Sequence, residues 1–355
     1  MVRNIFLQIL LSPFAILFGI GVTLKNILYS IGLLKGLKYS IPVINIGNLT
    51  VGGAGKTPHT EYLIRLLKDY ISVATLSRGY QRKSKGFMLV QPRHNATIAG
   101  DEPLQYKRKF PDITVAVSES RSLGIPKLMQ QNPGIQTILL DDAYQHRSVE
   151  PALNILLTEY GHLFTQDYLL PVGRLREWRS AYRRAHRMIV TKCPADLTQD
   201  EANKITQEIR PLAHQKLYFS RYKYHHPYYI FNPSYRILLE EEVDVLLVCA
   251  IARTTYLEEY VSDKVKSLKT LQYEDHHTFT SFDLGQIQRH FEQIESDKKL
   301  ILTTEKDAMR LELHRAFLHQ KEMPVFALPI EVEFLFNQKE AFDADIQDFL
   351  LKFKS

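Results

Sequence analysis

The sequence predicts an α/β fold, a mostly parallel sheet covered by helices on both faces. Two observations carry this. Short apolar, β-branched runs alternate with stretches of helical periodicity, the pattern of βαβ units. A glycine-rich segment, Gly52-Gly53-Ala54-Gly55-Lys56-Thr57, falls directly between one such run and one such helix. A third feature stands apart: the first thirty residues are unlike everything after them.

Those residues come first in the chain. Residues 5–24 carry no charge, and about 20 apolar residues suffice for a bilayer-spanning helix. Gln8, Ser12 and Pro13 weaken a deep span, while Lys25, Lys35 and Lys38 supply a basic flank suited to the cytoplasmic side. Lys25-Asn26 stands where a signal peptide would have its small-residue cleavage site. Residues 1–35 are therefore expected to form a membrane-associated helix, crossing the bilayer or lying half-sunk in one leaflet.

The next elements alternate. Strands are expected at residues 41–46, 71–76, 113–117, 137–140, 154–157 and 188–190, and helices at 60–70 and 122–131. In the first helix Leu63, Leu66, Leu67 and Tyr70 share a face. Residues 218–235, dense in aromatics, read as an interdomain connection of extended strands. Beyond it lie strands at 243–250, 299–304 and 325–328 and a closing helix at 343–353. The expected organisation is thus a nucleotide-binding unit over 36–217, the connection over 218–235, and a smaller α/β unit over 236–355. A chain of 355 residues is long enough for both.

Composition narrows the class. With 45% hydrophobic and 24% charged residues, a disordered chain, a collagen-like repeat and a polytopic membrane protein are excluded. Only two cysteines occur, Cys193 and Cys249, which argues against a disulfide framework or a cysteine zinc site and fits a reducing compartment. The net charge of +6 hints at an anionic partner. Spread over the whole chain, without a helix-turn-helix, zinc or RRM-type motif, it argues against nucleic acid.

The glycine-rich segment carries the strongest chemistry. A turn of this composition lets backbone N–H groups approach a polyphosphate at the positive end of a helix. The expected nucleotide contacts are Thr50, Val51, Gly52, Gly53, Ala54, Gly55, Lys56 and Thr57. Lys56 would reach the β- and γ-phosphates, and the Thr57 hydroxyl would ligate Mg²⁺. Pro58 suits the first helical turn. Thr50 stands where the general pattern has glycine. A metal carboxylate belongs at the end of a neighbouring apolar strand, and either Asp141 or Asp142 fits. These features specify a P-loop NTPase-like fold. Asp101, in Gly100-Asp101-Glu102-Pro103, reads equally well as a helix N-cap or an active carboxylate. Six arginines lie within 173–188, and 176, 179, 183 and 187 would share one helical face able to meet lipid phosphates.

These motifs occur in one order: Thr50–Pro58, Leu76-Ser77-Arg78-Gly79-Tyr80, Gly100–Pro103, Asp141-Asp142-Ala143-Tyr144-Gln145-His146-Arg147, Leu175-Arg176-Glu177, Glu274-Asp275-His276-His277, and Thr303-Thr304-Glu305-Lys306-Asp307. The set resembles the tetraacyldisaccharide 4'-kinases, the lipid A 4'-kinases of Gram-negative bacteria. Thr50 is that family's habit, and Ala143 stands where it often has glycine. The resemblance implies an ATP- and Mg²⁺-dependent kinase core in the first unit and a smaller domain closing over the nucleotide. It implies transfer to the 4'-hydroxyl of a tetraacyldisaccharide 1-phosphate, at the cytoplasmic face of the bacterial inner membrane. It also makes Asp101 the catalytic carboxylate, paired with His276 or its neighbour His277, with Lys56 on the phosphates. Tyr80, Arg121, Gln145, Arg176 and Glu177 are expected toward the acceptor, and residues 303–307 toward the base. The competing reading is a membrane-tethered P-loop ATPase switch with no small-molecule acceptor.

Overall fold

Strands that are apolar along their whole length are stable only when both faces are covered. The computed structural model describes residues 5–354, and in it β1 (Val43–Asn48) is buried at every position. The first sheet has eight further strands: β2 (Val73–Ser77), β3 (Met88–Leu89), β4 (Thr114–Val117), β5 (Thr137–Asp141), β6 (Leu153–Glu159), β7 (Arg187–Thr191), β8 (Lys216–Tyr224) and β15 (Ile330–Phe334). Their order is β15-β8-β7-β6-β1-β5-β2-β4-β3. The edge pairs β3–β4 and β15–β8 are antiparallel and the rest parallel.

A second sheet joins β9 (Tyr228–Tyr229), β10 (Asn232–Arg236), β11 (Asp244–Cys249), β12 (Ser267–Gln272), β13 (Lys299–Thr304) and β14 (Val325–Leu328), in the order β10-β9-β14-β13-β11-β12. The helices are α1 (Ile5–Ser30), α2 (Lys56–Leu67), α3 (Ala96–Ala99), α4 (Asp101–Lys109), α5 (Arg121–Gln131), α6 (Gln199–Ile209), α7 (Thr255–Ser262), α8 (Ser281–Glu292), α9 (Glu305–Leu311), α10 (Arg315–Gln320) and α11 (Lys339–Lys352). One buried core cluster runs continuously from Ile44 and Leu63 in the first layer to Leu246 and Ile301 in the second. A charged clamp reinforces it: Lys109 of α4 lies 2.8 Å from Glu61 of α2 and 2.7 Å from Glu305 of α9.

Strand pairing corrects two expected boundaries. Residues 330–352 do not belong with the smaller unit, because β15 pairs with β8 of the first sheet and α11 packs on the same sheet. The cause is aromatic: Phe334 stacks on Phe342 at 4.5 Å, and Tyr62 and Tyr218 meet both rings edge-on at 5.1–6.1 Å. Nor is the whole of 218–235 a connection. Its first residues lie in β8 and its last in β9 and β10, so most of the aromatics that suggested a linker are side chains of paired strands, and the crossing itself is short. The two crossings between the sheets run side by side, with the His225 N–H donating to the Pro329 carbonyl at 3.0 Å.

The uncharged N-terminal segment is α1, whose apolar side chains remain exposed; only Gly19 is buried. Residues 1–4 of the expected 1–35 element lie outside the described residues. The helix is docked sideways. Trp178 Nε1 donates to the Gly19 carbonyl (3.2 Å) and Thr23 Oγ1 (2.9 Å), and Ala15 packs on a core cluster. A side chain at position 19 would meet Trp178 at 2.5 Å, which is why glycine stands there. So apolar an exposed helix calls for an apolar surround. Deleting residues 1–30 is expected to shift the protein from the membrane pellet to the supernatant on sedimentation, and unchanged pelleting would contradict an anchoring role.

Candidate active site

The site forms where parallel strands end. Ile46 pairs with Asp141, so β1 delivers its loop and β5 its carboxylates at the same edge of the sheet. Gly55 precedes α2 at φ 86°, a left-handed conformation that glycine adopts without strain. Lys56 Nζ donates to Asn48 Oδ1 at 3.2 Å and lies 3.6 Å from Asp142 Oδ2. A cleft of about 520 Å³ opens here, lined by Val51, Gly52, Gly53, Gly55, Lys56 and Thr57 together with Glu102, His276 and Lys306 among others. Thr50 and Ala54 do not line it: Thr50 bridges to Leu175 and Ala54 is buried beneath the loop.

The two aspartates differ. Asp142 (φ 51°) is paired with Lys56 and with Arg176, 2.8 Å away. Burial alone would raise its carboxyl, but those cations hold it well below the usual carboxylate range. Asp141 is buried and pushed upward, first by burial and then by Asp142. Its Oδ2 accepts from the Tyr106 hydroxyl at 2.9 Å, while Oδ1 is buried with no partner among the described residues. An orphaned carboxylate oxygen in a cleft that Thr57 also lines fits a hard divalent cation, which takes oxygen donors.

Asp101 and His276 come together from opposite sheets. Gly100 (φ 89°) starts α4 pressed against Gly79, where a side chain would come within 2.9 Å of the Gly79 Cα. His276 (φ 62°) places Nδ1 3.2 Å from Asp101 Oδ2, and the Tyr80 ring packs on it at 4.5 Å. Asp101 is 4% exposed and sits behind His276, which faces the cleft. Burial would raise the Asp101 carboxyl, but hydrogen bonding from Glu102 and His276 and the Lys306 charge hold it well below the usual range. Glu102, half-buried beside Asp101, is pushed up to about 8, first by desolvation and then by the Asp101 charge. His277 turns away and pairs with Asp283 at 2.9 Å, so His276 is the partner of Asp101. The triplet Asp101, Glu102 and His276 has donors close enough for a metal, but Lys306 already supplies the positive charge there.

The remaining expected residues separate. Tyr80, Arg121 and Arg176 line the cleft, with Arg121 buried and donating to the Asp141 carbonyl at 3.3 Å. Gln145 instead braces the end of β1, donating to the Asn48 carbonyl at 2.9 Å. Glu177 is a correction. It is 4% exposed, and its carboxylate is taken by Arg184 (2.9 and 3.0 Å) and by Asn26 of α1 (3.1 Å). It fastens α1 to the body and does not line the cleft. The arginine face also dissolves, since residues 179–184 form a short 3-10 helix and Arg174, Arg184 and Arg187 each pair with a different acid. Residues 303–307 cap α9: Thr304 accepts from the Asp307 N–H at 3.1 Å, and Asp307 accepts from the Ala250 N–H at 3.1 Å.

Two cleft lysines were given no separate role by the motifs. Lys192 (φ 56°) ends β7, pairs with Glu159 at 3.1 Å and lies over the Tyr256 ring at 4.5 Å. Nothing local marks it. Lys306 was marked only as part of a strand-end motif.

Against known proteins, a family model named Tetraacyldisaccharide-1-P 4'-kinase matches residues 7–351. The chain belongs to the tetraacyldisaccharide 4'-kinase family. The Tetraacyldisaccharide 4'-kinase of Phocaeicola vulgatus is 43% identical over 96% of this chain and 95% of its own, and that of Bacteroides thetaiotaomicron 44% identical over 95% and 91%. The crystal structure of LpxK from Aquifex aeolicus in complex with ATP superposes with a TM-score of 0.73 at 28% identity, covering 97% of this chain and 99% of that one. As a tetraacyldisaccharide 4'-kinase family member, the chain is a kinase enzyme with the P-loop-type α/β fold that its glycine-rich turn implied.

Proposed function

We propose that this kinase transfers the γ-phosphate of Mg-ATP to the 4'-hydroxyl of a tetraacyldisaccharide 1-phosphate delivered from the cytoplasmic face of a bacterial inner membrane. One observation carries the reading: a single cleft is lined by both the phosphate loop and the His276 ring, which Asp101 backs.

Phosphoryl transfer is mainly positioning and charge stabilisation. The loop amides and Lys56 hold the triphosphate, and Asn48 keeps the Lys56 ammonium aimed at the loop. Thr57, Asp141 and Asp142 would hold Mg²⁺, which when bound offsets phosphate charge. A sugar hydroxyl is a poor nucleophile, so the Asp101–His276 pair orients it and accepts its proton as the O–P bond forms. Arg176 and Arg121 add fixed positive charge at the cleft floor, and Tyr80 shields the imidazole from water.

The test is direct. Purified enzyme with Mg-ATP is expected to convert a tetraacyldisaccharide 1-phosphate to its 1,4'-bisphosphate. ATP hydrolysis without phosphorylated lipid would instead support the tethered switch.

A further inference from the structure

The charge chain does not end at His276. Nε2 of that ring lies 2.8 Å from Lys306 Nζ, and the same Nζ lies 2.9 Å from Glu102 Oε1. An ammonium has three donors and no lone pair. It meets a ring nitrogen only as a donor, so Nε2 must be the acceptor and the ring proton must sit on Nδ1. There it donates to Asp101. The backbone holds this presentation: the His276 N–H donates to the Ala250 carbonyl at 3.2 Å, and Tyr80 covers the ring. Burial alone would strip the Lys306 proton, but Glu102, Asp101 and Asp275 outweigh it and hold the ammonium above its usual range.

We propose that Lys306 is a positioning residue for the transfer: it locks His276 in the Nδ1–H tautomer, which steadies Asp101, and in the resting cleft it holds the unprotonated Nε2 lone pair, which the acceptor hydroxyl takes over from the Lys306 N–H before its proton is accepted. This rests on the reading that the Asp101–His276 pair accepts the acceptor's proton. The charged groups facing the ring are Asp101 and Glu102 from α4, Asp275 from its own loop, and Lys306 from α9; Arg310 of α9 lies beyond Asp101. Protonating Nε2 sets a second cation, and a second donor, against Lys306. Without Lys306, the Asp101 and Asp275 carboxylates would favour the imidazolium instead, joined by Glu102 once it ionises.

The proposal gives a pH signature. In Lys306→Met the acid limb of kcat/KM is expected to move up by at least about one pH unit, a tenfold change in proton affinity. Lys306→Arg, which keeps cation and donors, is expected to return the limb to its wild-type position. A uniform loss of rate in Lys306→Met, with the limb unmoved, would show a merely structural role and overturn the proposal. Histidine ¹⁵N NMR of the wild-type enzyme, with His276 assigned by loss of its signal in His276→Gln, tests the tautomer without relying on a Lys306 variant. An unprotonated Nε2 is expected, and an Nε2–H resonance would overturn it. Should the wild-type enzyme make no phosphorylated lipid, the functional reading falls while the tautomer measurement still decides this one.

Discussion

Lys56→Ala is expected to lower lipid phosphorylation by about 10²–10³-fold, the usual cost of deleting one preorganised contact to developing charge. The ammonium is held at 3.2 Å from Asn48 and 3.6 Å from Asp142 and faces the cleft. Its loss leaves the glycine amides in place, so nucleotide affinity should fall less than turnover. Asp142 keeps Arg176 as a partner, so the fold should survive. Steady-state kinetics on the lipid, with nucleotide binding and thermal melting measured alongside, separate these effects. Near-wild-type turnover would remove Lys56 from the chemistry.

Asp101→Asn should cost about 10²–10⁴-fold in kcat, the range for a lost general base, with ATP binding intact. The substitution keeps shape and removes charge, leaving His276 without the anion that orders its proton. The stability consequence has a definite sign. A carboxyl held below its unfolded value stabilises the fold above that value, near 4, and the benefit fades as pH falls below it. Wild type should therefore lose stability on acidification partly through Asp101, and Asp101→Asn should lose less over the same interval. Equal acid sensitivity of the two melting curves would show that the network around Asp101 contributes nothing to acid-side stability.

What local patterns encode was legible in the sequence. The strands at β1, β2, β5 and β11 are apolar runs whose burial is written in their composition, and the loop between β1 and α2 is a contiguous motif. Long-range pairing was not. Nothing within residues 330–334 says that they cross back to β8, because an alternating strand fits either sheet edge until aromatic packing decides. The acid partners of the arginines in 173–188 include Asp167, Glu177 and Asp345, the last more than 150 residues distant, so their shared helical face was only a spacing. Glu177 failed for a related reason: its partners include Asn26 in a helix that seemed concerned with lipid alone. Asp101 could not be told from an N-cap until His276 arrived from the other sheet.

The sideways docking of α1 bears on how deep the protein can ride. Its contacts with the body include Ala15, Gly19, Thr23, Asn26 and Tyr29, and ahead of Ala15 stand the ten residues from Ile5 to Phe14. At about 1.5 Å per residue those ten residues extend roughly 15 Å. That is half the hydrocarbon thickness of about 30 Å. With the helix upright and the body resting on the lipid headgroups, that stretch would lie within a single monolayer. The catalytic cleft would then keep a fixed height above the acyl chains of its acceptor.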